Sequence, residues 1–381
     1  MILGLLTQIV IVLAAARLGG ALSRRLKQPA VVGEMTAGII LGQFSSGWFG
    51  STDALTSLSQ IGLILFLFLV GLQLDQGHLH TSGSLVAFTA AASIALPFAL
   101  GTLLGYSLYP AVGSGSRLVF SLFIGVAISI TALPVLARIL KERRMEGTQV
   151  GTVAIACAAI NDVSAWIILA GVLAFAHQGS GQKPLPEVLV LLVLYLVAIW
   201  YGLRKLASNW RPESLALILL ALFGSSLATE WIGLHAFFGA LAAGAVMPKT
   251  KDFVEPLVKR IEPLTENLLL PLFFALTGLR TQIGLVTGIS LWTTLLAIVS
   301  VAVLGKLGGG MLAARWIGMP WREAATLGVL MNARGLVELI ALNIGLEAGI
   351  ISPTFFSMMV AMAIITTLMT SPLLNLFQSD Q

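Results

Sequence analysis

The strongest constraint on this chain is a succession of apolar runs near helix-spanning length, separated by short gaps that carry most of the charge. A helix needs about 20 residues to cross a hydrocarbon core, and by that ruler the sequence holds about thirteen spans. They lie near 2–22, 29–43, 55–73, 84–109, 116–140, 147–176, 186–206, 213–231, 233–248, 263–281, 287–314, 321–346 and 353–377. Backbone in lipid must satisfy its own hydrogen bonds, so such runs are expected as helices. The expected fold is therefore an all-α polytopic membrane protein. Composition adds an exclusion: 57% hydrophobic and 10% charged residues is more apolar than a water-soluble core of this length requires. The net charge of +5 points to no nucleic acid, because the basic residues sit in the gaps between apolar runs.

Those gaps set an orientation. Odd-numbered gaps hold Arg24, Arg25 and Lys27; Lys141, Arg143 and Arg144; Arg204, Lys205 and Arg211; Lys249, Lys251, Lys259 and Arg260; and Arg315 and Arg322. Even-numbered gaps hold only Arg117, Lys183 and Arg280. Basic residues accumulate on the cytoplasmic side, so the expected topology is N-terminus outside and C-terminus inside. The apolar start at Met1, with its charges following the run, reads as a first membrane span rather than a cleaved leader.

Two blocks repeat in register. Val32-Gly33-Glu34-Met35-Thr36-Ala37-Gly38 matches Phe238-Gly239-Ala240-Leu241-Ala242-Ala243-Gly244 at an offset of 239 − 33 = 206. Leu65 to Leu72 matches Leu272 to Leu279 at 278 − 71 = 207. An offset of seven spans turns the second copy over in the membrane, so spans 1–6 match spans 8–13 with span 7 as the link. Inverted repeats of this kind build secondary transporters, with the site at the midplane between copies.

Polar residues at membrane depth identify where chemistry can occur. Asp162 stands in the middle of the apolar run 150–175, next to Asn161. A carboxylate at the bilayer centre costs at least about 2.5 kcal/mol, so its retention points to ion or proton handling; the structural alternative is an Asp paired to a cation on a neighbouring helix. The preceding span contains Ser129-Ile130-Thr131-Ala132-Leu133-Pro134. Proline cannot donate to the carbonyl four residues back, so this helix should kink or open, with Ser129 and Thr131 meeting the freed carbonyls. A patched, ordinary kink explains this span equally well. Adding the repeat offset leads to Asn332-Ala333-Arg334-Gly335-Leu336-Val337-Glu338, a second interrupted span. Arg334 and Glu338 are four apart and pair locally if the segment stays helical. Lys306 lies among Gly305, Gly308, Gly309 and Gly310, which invite a close neighbour backbone; snorkelling to an interface is its structural alternative. The glycine run follows no strand and lacks phosphate-loop spacing, so it is no nucleotide site. Glu34 reads as a structural or funnel-lining acid, and His235 as an interfacial residue. The lone Cys157 excludes an intrachain disulfide and reads as a small buried hydrophobe.

Taken together, Asn161-Asp162, the broken Ser129 to Pro134 helix, Leu270 to Leu279, Lys306 and Asn332 to Glu338 resemble the monovalent cation:proton antiporter superfamily, on the branch of the Kef-type and plant cation/H+ exchangers. The resemblance covers almost the whole chain. It implies an inverted-repeat antiporter fold with two discontinuous crossing helices. It also implies a homodimer among membrane lipid, in a bacterial inner membrane. Implied segments are dimerisation or scaffold helices at 1–80 and 211–285, ion-carrying core helices at 81–178 and 286–381, and a linker helix at 179–210. By position, Asp162 resembles the ion- and proton-binding carboxylate and Asn161 its neutral partner. Thr131, with Ser129, lends oxygen at the crossing, and Asp162 and Thr131 would hold a monovalent metal cation. Lys306 resembles the core lysine, with Arg334 and Glu338 as core charge partners. One departure is Cys157, which stands where the sodium/proton exchanger branch has a glutamate that pairs with an arginine.

The implied function is exchange of Na+ or K+ for H+ by alternating access, with no cofactor beyond the transported ions. A proton and a cation compete for Asp162, and a single carboxylate in the Asn161-Asp162 pair suggests electroneutral exchange. Other classes are a sodium-coupled organic solute symporter, which needs more intramembrane hydrogen-bonding groups, and a cation channel, which needs a continuous pore. No nucleophile–base pair or metal-ligand cluster suggests an enzyme.

Overall fold

A computed structural model of the 381-residue chain describes residues 2–26, 28–44, 53–73, 83–145, 148–176, 185–208, 210 and 214–378. Of the charges used above, Lys27, Lys183 and Arg211 lie outside the described residues. Helices follow one another as α1 Ile2–Arg25, α2 Ala30–Phe44, α3 Asp53–Gln73, α4 Gly83–Val112, α5 Arg117–Ser129, α6 Leu133–Glu142, α7 Gln149–Ala176, α8 Leu185–Val197, α9 Arg204–Ala207, α10 Leu215–Ile232, α11 Ala236–Val246, α12 Lys251–Leu264, α13 Leu270–Arg280, α14 Gly288–Trp316, α15 Trp321–Met331, α16 Leu336–Glu347 and α17 Pro353–Gln378. A π-helical turn, Ala198–Leu203, joins α8 to α9, and another, Thr265–Leu269, joins α12 to α13. No strand is found among the described residues, where one isolated bridge pairs Gly113 with Ile351.

Nine described helical stretches are long and apolar enough to cross a membrane. The spans expected at 29–43 and 233–248 are the shorter helices α2 and α11, and those at 116–140 and 321–346 each divide into two short helices. The run expected to begin at 263 starts earlier, at Lys251. Its charged first half is helical because Phe253, Leu257 and Ile261 recur every fourth residue and bury one face.

Contacts divide the chain into two compact units. One comprises Met1–Leu22, Gly33–Asp75 and Leu173–Leu279; the other Ser23–Val32, Gln76–Val172 and Arg280–Gln381. In the first unit the repeated glycines are the points where helices touch. A Cβ at Gly38 would strike the Ala275 carbonyl, and one at Gly278 the Met35 carbonyl, so α2 and α13 pack backbone to backbone. The repeat converts Gly38 to Gly244 and Gly278 to Gly71, and these form the matching contact between α11 and α3, against Phe68 and Leu241. Lipid is as apolar as leucine, so helix association in a membrane relies on such close packing.

In the second unit, α14 lies along α4 in the same manner. A Cβ at Gly305 would come within 2.9 Å of Pro97 Cα, and one at Gly309 within 2.8 Å of the Ala92 carbonyl. Edge-on aromatic contact between Phe120 and Phe355, with centroids 5.1 Å apart, ties α5 to α17. Around these contacts the two interrupted helices, α5/α6 and α15/α16, are held.

Candidate functional site

Each interruption is a few extended residues between two short helices. α5 ends at Ser129, Ile130 is extended at φ −66° and ψ 139°, and α6 starts at Leu133. Pro134 is thus the second residue of α6, where its missing N–H leaves no intrahelical bond unmade. α15 ends at Met331 and α16 starts at Leu336. The two breaks meet: the Ala132 amide donates to the Ala333 carbonyl at 3.0 Å, and the Thr131 hydroxyl to the Met331 carbonyl at 3.3 Å.

Four helix ends therefore converge in the interior, each carrying roughly half an elementary charge. Side-chain charges oppose them. Arg334 Nη1 donates to the Ala127 and Ile130 carbonyls at 3.2 and 3.0 Å, covering the negative end of α5. Glu338 occupies the first turn of α16, at its positive end. The Leu133 amide, at the positive end of α6, is in hydrogen-bonding reach of the Asp162 carboxylate. The second break is anchored to α17: Thr367 donates to the Arg334 carbonyl at 3.0 Å and Asn332 Nδ2 to the Thr366 carbonyl at 3.4 Å.

α7 supplies Asn161 and Asp162. Adjacent helical residues point about 100° apart, so each faces a different neighbour. The Asn161 amide lies 2.9 Å from Ser93 Oγ and 3.3 Å from Thr131 Oγ1. Lys306, brought in by the glycine contact of α14 with α4, donates to Thr131 Oγ1 at 2.6 Å and to the Ser93 carbonyl at 3.1 Å. It makes no ion pair with Asp162 among the described residues. Asp162 Oδ1 has no hydrogen-bond partner among the described residues. Asp162 also retains 6% exposure, whereas Asn161, Thr131, Lys306 and Glu338 retain none and Arg334 1%. Asp162 is the least completely buried ionisable group of this cluster.

The oxygens suited to a small cation are the Asp162 carboxylate, Thr131 Oγ1 and the Asn161 amide oxygen. No group of three or more His, Cys, Asp or Glu side chains that could hold a metal ion is found among the described residues. The remaining sequence expectations are met in part. Ser129 donates to the Val126 carbonyl of its own helix at 2.8 Å, and the carbonyls assigned to it and Thr131 are met by Arg334. The helix is interrupted from Asn332 to Gly335 and resumes at Leu336, and Arg334 and Glu338 pair at 3.9 Å all the same. Cys157 is buried with its thiol toward the Val86 carbonyl at 3.6 Å. Ser93 was not foreseen; its one signal is a hydroxyl inside the apolar stretch 90–97.

Comparison with known proteins gives a consistent picture. The chain matches the family model described as sodium/hydrogen exchanger, transmembrane, over residues 11–376. Cation/H(+) antiporter 17 of Arabidopsis thaliana is 40% identical, with 97% of this chain and 48% of that protein aligned. Na(+)/H(+) antiporter NhaS4 of Synechocystis sp. is 38% identical, with 97% and 96% aligned. The chain thus spans about half the length of the plant relative and nearly all of the cyanobacterial one. The solved structure of the sodium proton antiporter MjNhaP1 from Methanocaldococcus jannaschii shares the fold, with a TM-score of 0.68 at 15% identity, covering 98% of this chain and 96% of that one.

Proposed function

This chain belongs to the sodium/hydrogen exchanger family, and on that premise we propose that it exchanges a monovalent cation, Na+ or K+, for H+ across a membrane at Asp162. It is a multi-pass membrane protein, with nine described stretches of spanning length and apolarity. The observation that carries the reading is the state of Asp162: a buried carboxylate with an unpartnered oxygen, beside a helix N-terminus and a cluster of hydroxyl and amide groups. A carboxylate held away from water is relieved by a bound proton or by a bound cation. It holds one or the other. Alternating access to the two sides then couples the fluxes.

In this reading Thr131 and Asn161 complete the cation's oxygen shell. Lys306, Arg334 and Glu338 set the field around it. One carboxylate at the exchange point makes the cycle electroneutral, one cation for one proton. The scaffold and dimer contact are formed by 1–80 and 211–285, the moving core by 81–178 and 286–381, and 179–210 is the linker. Two compact units of broadly that content support the division. The excess of basic residues in odd-numbered gaps supports an outside N-terminus and a cytoplasmic C-terminus; the membrane proposed is a bacterial inner membrane.

The test is lumenal pH in proteoliposomes given sodium or potassium gradients. Wild type should change lumenal pH without building a membrane potential, and Asp162→Asn should abolish the exchange. An Asp162→Asn variant as active as wild type would contradict the assignment.

A further inference from the structure

Asn161 is surrounded by groups that decide which way its amide faces. One amide atom lies 2.9 Å from Ser93 Oγ and 3.3 Å from Thr131 Oγ1. The other lies 3.2 Å from the carbonyl oxygens of Ala90 and Cys157. Carbonyl oxygens only accept, so the atom against Ala90 and Cys157 is the nitrogen, which donates to both. The atom against Ser93 and Thr131 is then the oxygen. A hydroxyl can donate or accept, so Ser93 adapts to this orientation: its proton also reaches the Ala90 carbonyl at 2.9 Å, and it turns to the Asn161 oxygen instead. Thr131 donates its own proton to the Met331 carbonyl. One of its lone pairs accepts from Lys306 at 2.6 Å, and the other faces the Asn161 oxygen with no proton between them.

We propose that the Ser93 hydroxyl is a positioning group of the transport site, holding in place for a cation beside Asp162 the Asn161 amide oxygen that the Ala90 and Cys157 carbonyls turn toward Thr131. The inference rests on the exchange reading above. With Ser93 and Asn161 both fully buried, water does not substitute for the hydroxyl. Without it the amide nitrogen keeps its bonds to the Ala90 and Cys157 carbonyls, but the oxygen loses its one donor and is held less firmly where a cation would meet it. The proton step involves only the Asp162 carboxylate and is indifferent to this orientation. Ser93 therefore governs cation affinity more than turnover.

The arrangement permits a clean test, because Lys306 is held by the Ser93 backbone carbonyl, which side-chain substitution leaves in place. In proteoliposomes with sodium or potassium chloride gradients, Ser93→Ala should raise the cation KM about three- to tenfold, the value of one buried neutral hydrogen bond. Vmax should fall less than KM rises, and Ser93→Thr, which keeps the hydroxyl, should restore much of the affinity. An unchanged KM overturns the proposal, as does a loss confined to Vmax or a Ser93→Thr variant as impaired as Ser93→Ala, since either describes a merely structural residue. Asp162→Asn in the same vesicles separates the two levels: if wild type itself fails to exchange, the exchange reading falls, whereas active wild type with an indifferent Ser93→Ala removes this inference alone.

Discussion

The two helix breaks occupy matching places in the repeat, yet their chemistry is opposite. The first, Ile130 to Ala132, contains no charge; Lys306 donates to it from another helix, and the Asn161 amide lies 3.3 Å from its Thr131 hydroxyl. The second, Asn332 to Gly335, carries Arg334 within it and Glu338 just beyond, and directs the Arg334 guanidinium to carbonyls of the first. Backbone symmetry is therefore retained while the working groups are divided. In the account proposed here, the first break faces the ion and the second neutralises the helix ends that the first exposes. The lesson is that a duplicated scaffold can keep its geometry by making one copy the electrostatic support of the other.

Substitution at the second break should have the largest effect on stability. Arg334→Ala leaves two buried carbonyls unmet and Glu338 without a counter-charge, which should destabilise the fold by about 3–5 kcal/mol. Thermal unfolding in detergent measures it, and a variant as stable as wild type would end the idea of a supporting role. Thr131→Ala, at the first break, removes one acceptor for Lys306 and one neighbour of Asn161. Stability should drop by only about 1 kcal/mol, while exchange falls several-fold more than the folded fraction does. Comparing transport per folded molecule with Thr131→Ser checks this; equal losses in both readouts would mean that the first break is structural too. Smallest of all should be Arg280→Ala. Arg280 pairs with Glu347 at 3.0 Å, with the two side chains 29% and 37% exposed, so its loss should cost at most about 1 kcal/mol, less at high salt. A larger change would show that charge near the end of α16 matters as much as charge at its start.

Much of this architecture was legible in the sequence because membrane physics leaves few options. Apolar length located the spans, and the glycine-bearing blocks at offsets of 206 and 207 marked a duplicated unit whose glycines the structure places at helix contacts. Pro134 and the Asn332 to Glu338 polar cluster marked both breaks. What escaped is what depends on distance across the chain. Spacing of four suggested that Arg334 served Glu338, whereas its hydrogen bonds run to Ala127 and Ile130, some 200 residues away, and Glu338 stands at 3.9 Å. Ser129 looked as well placed as Thr131, but a serine inside a helix readily bonds the preceding turn. Ser93 was hidden for the same reason, since a lone hydroxyl among alanines is ordinarily satisfied by its own helix. The charged stretch from Lys251 read as a gap because three buried residues on one face are a weak signal beside six charges in its first twelve residues.

The central claim is that proton and cation exclude each other at Asp162, and the direct measurement is the cation KM of wild-type proteoliposomes as a function of pH. Competition at one carboxylate predicts that KM rises about tenfold for each unit of acidification on the acid side, with Vmax unchanged. A KM indifferent to pH, with Vmax falling instead, would mean that both ions bind together, and the account would be wrong at its core.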